Sequence, residues 1–239
     1  MFQERTAGTY ILGAPGVPTP VINRVFIQPG ASPGAATAAI ERMSAGGANA
    51  YFAHLHSDAP PELTAALQDA GLTRYPRAWV KLARGQQPLP PGESCANDDD
   101  VVIARADQAE AFAALVVDAF GFHPTLGELL VAVVKRPRWH VYFAQRAGLP
   151  IATGALFVQG DVGYLGFGAT HPEHRGQGLQ RRVLAKRIRV ALAQGCRLVI
   201  SETGEAVPQQ RNASYDNMVA LGMRPVGVRD NYALPGVRF

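Results

Sequence analysis

The residues whose types and spacing could do chemistry crowd into one short run, HPEHRGQGLQRR, from His171 to Arg182. Gly176 and Gly178 stand in it, behind a strand-like YLGFGAT and directly ahead of a stretch with helical periodicity. The opening turn of a helix leaves peptide N–H groups without intrahelical partners, and the aligned peptide dipoles make that end partly positive. Glycine lets an anion approach such a backbone with no Cβ in the way. The N–H groups of residues 176 to 181 can then converge on phosphate oxygens, and the expected ligand is a pyrophosphate. A dinucleotide fingerprint starting at Gly176 needs glycine at 181, where Arg181 stands, and a nucleotide P-loop ends in Gly-Lys-Ser/Thr, a triplet absent from the chain. On a helical wheel of about 100° per residue, Arg181, Arg182, Lys186 and Arg189 form a basic arc, with Val183, Leu184, Ile188, Ala191 and Leu192 opposite. That arc either meets further phosphate groups or is the solvated face of an amphipathic helix.

The elements that must position this run follow from the rest of the chain. Its 239 residues allow one large domain or two small ones, and 47% hydrophobic against 18% charged residues places it among globular chains. Two cysteines, Cys95 and Cys196, build neither a disulfide framework nor a four-thiolate metal site. The start MFQERTAGTY lacks a secretory layout and the longest apolar stretches fall short of a bilayer span, so a cytoplasmic protein without a membrane partner is expected. A net charge of +4 is mild for a nucleic-acid binder and argues against that partner while welcoming a small anion.

Residues 84–100, RGQQPLPPGESCANDDD, join Pro and Gly to an acidic run without apolar periodicity and read as a linker. The expected division is an N-terminal domain over 1–88, a linker over 89–100 and a C-terminal domain over 101–239. In the last of these the pattern predicts a strand at 101–106, a helix at 107–120, a second over PTLGELLVAVVKR and three antiparallel strands within 139–170. A helix to about residue 193, a strand at 197–203, a helix near 209–221 and a strand pair around 223–234 complete it. This is an α+β order, a mixed sheet with helices on its faces. Upstream, helix, Gly47, strand, helix, Ala-Gly-Leu, strand echoes the downstream helix, Gly195, strand, helix, Leu-Gly-Met, strand, and suggests an internal duplication. Nothing upstream matches the loop at 174–178, so the upstream copy is expected to have lost its partner's chemistry.

At these residues the sequence resembles the GNAT family of N-acetyltransferases. The family motif RxxGx(G/A) is matched by Arg175 and Gly178, with Gln180 where glycine or alanine is usual, and ASYDNMVALGM resembles the family's second motif helix, with Gly222-Met223 at its Gly-Phe pair. The resemblance covers roughly 101–239 and implies a GNAT-like sheet, preceded by a degenerate second copy. It implies that acetyl-CoA lies where two parallel strands part, near Thr170 and Thr203, with Phe167, Gly168, Ala169 and Thr170 along the pantetheine, the stretch Arg175 to Arg181 at the diphosphate, and Asn212, Ser214 and Asn217 as further contacts. A primary amine, free or on a peptide, would attack the thioester, and the Ala169 N–H would meet the developing oxyanion. The family's usual tyrosine acid falls at Met218, so Tyr215, one turn earlier, is the candidate acid and Glu202 the candidate base, with Glu173, Asp161 or a water relay behind it. Phe120, Phe122 and His123 are candidates for the acceptor pocket. Met218 and the missing base keep open a catalytically idle CoA-binding or regulatory module, and self-association into a homodimer is left open.

Other signals read as structure. His54, His56 and Asp58 imitate half a metal site without a third ligand, so no metal is expected. His171 and His174 flank the loop as ordinary loop residues, and Trp79 and Trp139 read as core or interface anchors. Asn212-Ala213-Ser214 is a sequon without the secretory route that would use it. Cys196 opens a buried strand as a small apolar residue.

Overall fold

The computed structural model describes residues 1–93, 101–207 and 212–238. Cys95, the second half of the expected linker and the start of the helix expected from 209 therefore lie outside the described residues. The chain forms two compact units, Met1–Val80 with Gly227–Phe239, and Lys81–Val226. These units do not coincide with a division at 89–100, because the chain passes between them within strands and its last strand returns to the first unit.

The first unit contains β1 (Phe2–Thr6), β2 (Thr9–Gly13), β3 (Arg24–Ile27), α1 (Pro33–Ala45), β4 (Phe52–His56), α2 (Pro61–Asp69), β5 (Thr73–Arg74) and the start of β6 (Trp79–Arg84). The greater part of β12 (Arg224–Ala233) belongs to it as well. Strands β1, β2 and β3 pair antiparallel in turn, β3 runs parallel to β4, and β12 pairs antiparallel with β4. Helices α1 and α2 bury Ile40, Met43, Leu63 and Leu67 against Ile11, Val25, Ile27 and Leu55. Ser32 begins α1 by accepting a hydrogen bond from the Ala35 N–H at 3.2 Å, and Pro33 follows where no N–H is required.

The second unit adds β7 (Val101–Ile103), α3 (Ala109–Phe120), α4 (Leu126–Val134), β8 (Trp139–Arg146), β9 (Leu149–Gln159), β10 (Val162–Thr170), α5 (Leu179–Ala193), β11 (Leu198–Gly204) and α6 (Ala213–Ala220). The order of elements is the expected one, with one difference at the end. In place of a strand pair around 223–234 there is the single ten-residue β12, since nothing between Arg224 and Ala233 reverses the chain. Strands β7 to β10 pair antiparallel in sequence, and β10 runs parallel to β11, which makes the sheet mixed. Helix α5 packs Leu179 and Val183 onto Tyr142, Ala144, Ile151 and Ala152, all on one face of β8 and β9. Helices α3 and α4 lie against the other face, where Phe112 and Val116 are fully buried.

The suspected repeat is visible in the backbone. In the first unit α1, β4 and α2 follow a strand parallel to β4; in the second α5, β11 and α6 follow a strand parallel to β11. Gly47 and Gly71 in one, and Gly195 and Gly222 in the other, all take positive φ between 81° and 85° just past the helices.

Asn23 ties the first unit together from a buried position. Its Oδ1 accepts from the Ala14 N–H at 2.7 Å, and its Nδ2 donates to the carbonyls of Val17 at 2.8 Å and Ala50 at 3.1 Å. Asn23→Ala leaves a buried donor and two acceptors without their partner, and we expect a loss of about 2–3 kcal/mol in denaturant unfolding. An unchanged midpoint would show that these bonds add nothing.

Candidate functional site

Strand β10 ends at Thr170, a short 3-10 turn covers Pro172–His174, and Arg175 leads into the glycine loop. Gly176 has φ 76° and Gly178 φ 73°, and Gly178 is the residue from which α5 starts. A Cβ at either glycine would meet nothing within 4 Å. The glycines are therefore present for their left-handed backbone and the open approach, with no crowding by the protein. Among the described residues no side chain caps α5, and no acidic residue stands in its first turn, which leaves its first N–H groups open to an external anion. Those features fit the diphosphate of a coenzyme.

The side chains around the loop hold it in place. Arg175 donates through Nη2 to the Ala119 carbonyl at 2.8 Å and through Nε to the Thr170 carbonyl at 3.4 Å, which ties the loop to the end of α3 and to β10. Gln177 accepts a hydrogen bond from Arg146 at 2.7 Å. Gln180, the departure from the family motif, accepts from Asn217 Nδ2 at 2.9 Å and so links α5 to α6. Arg181 Nε lies 2.7 Å from the Glu93 carboxylate, and Arg189 donates to the Glu93 carbonyl. Two members of the expected basic arc are thus engaged by the segment before β7. The Arg175, Gln177 and Arg181 side chains serve the protein, and what the loop offers a ligand is its backbone.

Next to this loop the sheet opens. The parallel ladder between β10 and β11 ends at Leu165 and Ser201, although β10 continues to Thr170 and β11 to Gly204. The ladder between β10 and β9 is broken at the same level: Gly166 faces Ala155, Ala169 faces Thr153, and two residues, Phe167 and Gly168, stand opposite Gly154 alone. This is a β-bulge, and Phe167 takes φ 52° in it. Phe167, Gly168 and Thr170 are half-buried and Ala169 is buried. Thr170 Oγ1 and His171 Nδ1, at the open end, are buried atoms with no hydrogen-bond partner among the described residues. Thr203 accepts from Asn212 Nδ2 at 3.2 Å, and Asn212 Oδ1 in turn caps α6 by accepting from the N–H groups of Ser214 and Tyr215. Asn212 is therefore the N-cap of α6.

Sequence reasoning missed Arg187. It sits on the apolar side of α5, four residues after Val183, and is only 3% exposed. Its Nη1 donates to the carbonyls of Ala155 and Gly166, both at 3.0 Å, and its Nε to Val183 at 3.2 Å. A Cβ on Gly154 would lie 2.5 Å from the guanidinium carbon, so that glycine is the notch that admits it. Burial pushes the Arg187 pKa down to about 10, with Tyr164 and Tyr142 pulling it back up, and the group stays cationic at neutral pH. The signal was an arginine in phase with the buried residues of a helix, facing glycines on β9 and β10.

Of the candidate catalytic groups, Glu202 forms an ion pair with Lys81, and both side chains are largely buried. Asp161, a fallback base, pairs with Arg197, whose hydrogen bond and charge hold its carboxyl below the usual range. Tyr215 is half-buried on α6, one turn before the buried Met218. Phe120 and Phe122 stack with centroids 5.1 Å apart just past α3, where Arg175 fastens the chain to the glycine loop. His123 Nδ1 and the Thr125 hydroxyl share a hydrogen bond of 2.9 Å at the exposed start of α4. A further aromatic group went unread in the sequence: Trp139 has Phe157 at 5.0 Å, Phe167 at 5.6 Å and Tyr164 at 6.5 Å. Trp139, expected as an anchor, is the centre of this half-buried floor beside the bulge.

His54 and His56 are engaged within the first unit. His54 is fully buried and stacks on Phe26 at 4.9 Å, while His56 pairs with Asp58. Among the described residues no three His, Cys, Asp or Glu side chains are grouped as metal ligands, and no helix is long and apolar enough to cross a membrane. Cys196 is buried, and burial raises its thiol pKa.

The comparisons with known proteins agree with this geometry. Residues 109–213 match the sequence profile of the acetyltransferase (GNAT) family. No curated protein matches the chain. Among solved structures, a GCN5-related N-acetyltransferase from Kribbella flavida is similar at a TM-score of 0.69 and 22% identity, over 98% of this chain and 90% of its own. A GCN5-related N-acetyltransferase from Sphaerobacter thermophilus is similar at 0.70 and 15% identity, over 97% of this chain and 79% of its own. A tandem GNAT protein from the clavulanic acid biosynthesis pathway matches at 0.59 and 16% identity, over 94% of this chain and 77% of its own. At these identities the structures speak for the fold: a GNAT-like mixed sheet flanked by helices, with N-terminal strands resembling a partial second unit. The profile match is confined to residues 109–213, and there the sequence is similar to the GNAT acetyltransferase family while the solved structures share its fold.

Proposed function

We propose that this chain moves the acetyl group of acetyl-CoA to a primary amine by direct attack on the thioester. The observation that carries the reading is the loop with two left-handed glycines that opens onto an uncapped α5, beside the place where β10 and β11 cease to pair. Bound there, acetyl-CoA would supply an activated acyl group. The backbone N–H groups of residues 176 to 181 hold the diphosphate, and the residues 167 to 170 run along the pantetheine. The Ala169 N–H is the proposed donor for the developing negative charge on the thioester oxygen. Tyr215 is the proposed acid for the departing thiolate, and Phe120, Phe122 and His123 the proposed acceptor contacts.

Glu202 needs a different account than sequence reasoning gave it. The Glu202 carboxylate is already engaged by the Lys81 ammonium, which competes with any proton for its oxygens. We propose that Glu202 attracts and orients the incoming ammonium, and that deprotonation runs through water. Met218 in place of the usual tyrosine, together with the occupied Glu202, also favours a second reading, an idle CoA-binding module. Thiol release from acetyl-CoA across a panel of amines separates the two: turnover with any amine excludes the idle module, and calorimetric binding without turnover supports it.

Three outcomes are expected. Gly178→Glu puts a bulky anion where the phosphates sit and forces a non-glycine residue into a left-handed backbone, so acetyl-CoA affinity measured by calorimetry falls at least about a hundredfold. Unchanged affinity would refute the loop assignment. With an amine that turns over, Tyr215→Phe lowers kcat by about a hundredfold or more while KM for acetyl-CoA holds; an unaltered kcat removes Tyr215 as the acid. Phe122→Ala raises the acceptor KM and leaves CoA affinity alone, whereas a change in CoA affinity alone would place Phe122 on the cofactor.

A further inference from the structure

The bulge in β10 poses a problem of its own. Two residues of β10 face one residue of β9, so carbonyls that an unbroken ladder would satisfy have lost their regular partners. The Arg187 side chain braces the edge of this break from a third element. It reaches from α5 between the strands, through the notch left by Gly154, and one nitrogen donates both to Ala155 on β9 and to Gly166, the last regularly paired residue of β10 before the bulge. No carboxylate neutralises it among the described residues. An uncompensated buried cation costs stability, and hydrophobic residues of similar size would do the packing without that cost. Its retention therefore calls for a role that packing alone does not supply.

That role follows from where α5 begins. Gly178, at the first turn, belongs to the diphosphate loop, and Arg187 lies nine residues further on, about 13 Å along the same helix. One rigid element thus fixes both the loop and the bulge. We propose that Arg187 is a positioning residue for acetyl transfer: it locks the Gly166–Ala169 bulge at a set distance from the diphosphate loop, so that the peptide groups of residues 167 to 169 meet the thioester carbonyl of a bound acetyl-CoA. The proposal rests on the acetyl-CoA reading above, and it assigns Arg187 no contact with the cofactor itself.

The test uses the full chain and needs no acceptor. Acetyl-CoA carrying carbon-13 at the thioester carbonyl is bound to the wild type, and its carbonyl resonance is expected to move downfield from that of the free molecule. In Arg187→Met, with melting temperature recorded alongside, CoA affinity stays within about threefold because the diphosphate loop is intact, while at least about half of that downfield shift disappears. Arg187→Lys, which keeps a cation and donors, restores part of it. Gly154→Ala keeps the arginine but displaces its guanidinium, and it reproduces the loss; it also serves if the methionine variant does not fold. A full wild-type shift in folded Arg187→Met or Gly154→Ala overturns the proposal and leaves the acetyl-CoA reading standing. A wild type that binds neither CoA nor acetyl-CoA overturns the acetyl-CoA reading, and this inference with it.

Discussion

A peptide carbonyl or N–H that leaves a β-ladder must find another partner or lose on the order of 1–3 kcal/mol, and the second unit is organised around that demand. Strand β10 abandons β11 after Leu165 and breaks step with β9 at Gly166. Each break creates backbone that the sheet no longer satisfies. Ser201 donates to the Leu165 carbonyl at 2.8 Å where the β11 ladder ends, and Arg187 donates to Gly166 at the edge of the bulge from within α5. Beyond the bulge β10 keeps its pairing with β9 through Thr170 but has none with β11, and that edge, with the first turn of α5, is where the proposed cofactor would find backbone partners.

The first unit shows the same framework without the interruption. Its parallel pair β3 and β4 is followed by α1 and α2 in the same order, with glycines of similar φ at the same junctions. Yet β3 has four residues where β10 has nine, too short for a bulge and an extended free edge. The start of α1 is closed as well, since the Ser32 hydroxyl takes the Ala35 N–H that an anion would need. A cap of this sort is worth about 1 kcal/mol. At α5 the equivalent stabilisation is absent, and Gly178 stands where a capping side chain would be. The two halves thus differ in whether the helix end is spent on stability or kept open for binding.

How much of this was legible in the sequence depends on the range of the interactions. The glycine loop, the helix behind it and the order of elements from 101 onward follow from local rules, namely positive-φ glycines, apolar period and turn residues. The repeat was legible for the same reason, as two pairs of glycines at similar intervals. Arg187 was not, because a helical wheel assigns arginine to the solvent face and only the neighbouring strand, with Gly154, shows that there is room for it inside. The Trp139 floor escaped because its members sit on three strands and meet only through the register of β8, β9 and β10. The Glu202–Lys81 pair joins residues 121 apart in sequence, a separation at which no local pattern carries information. The units escaped too, since the last strand leaves its sequence neighbours to pair with β4.

The occupied carboxylate changes where the reaction's free energy must come from. An amine with pKa near 10 is almost wholly protonated at neutral pH, so either a strong base or a small population of free amine has to serve. Glu202 is already engaged by Lys81, so under the proposed acetyl transfer it serves to orient an incoming ammonium and not to carry its proton away. The floor of Trp139, Phe157, Tyr164 and Phe167 would act on an ammonium in two opposing ways, since half-buried rings strip part of its hydration while their faces attract the cation. Under the proposed acetyl transfer the ammonium proton passes to water, while protonation of the departing thiolate is a separate demand, left to Tyr215, one turn before the Met218 that stands in the family's tyrosine position.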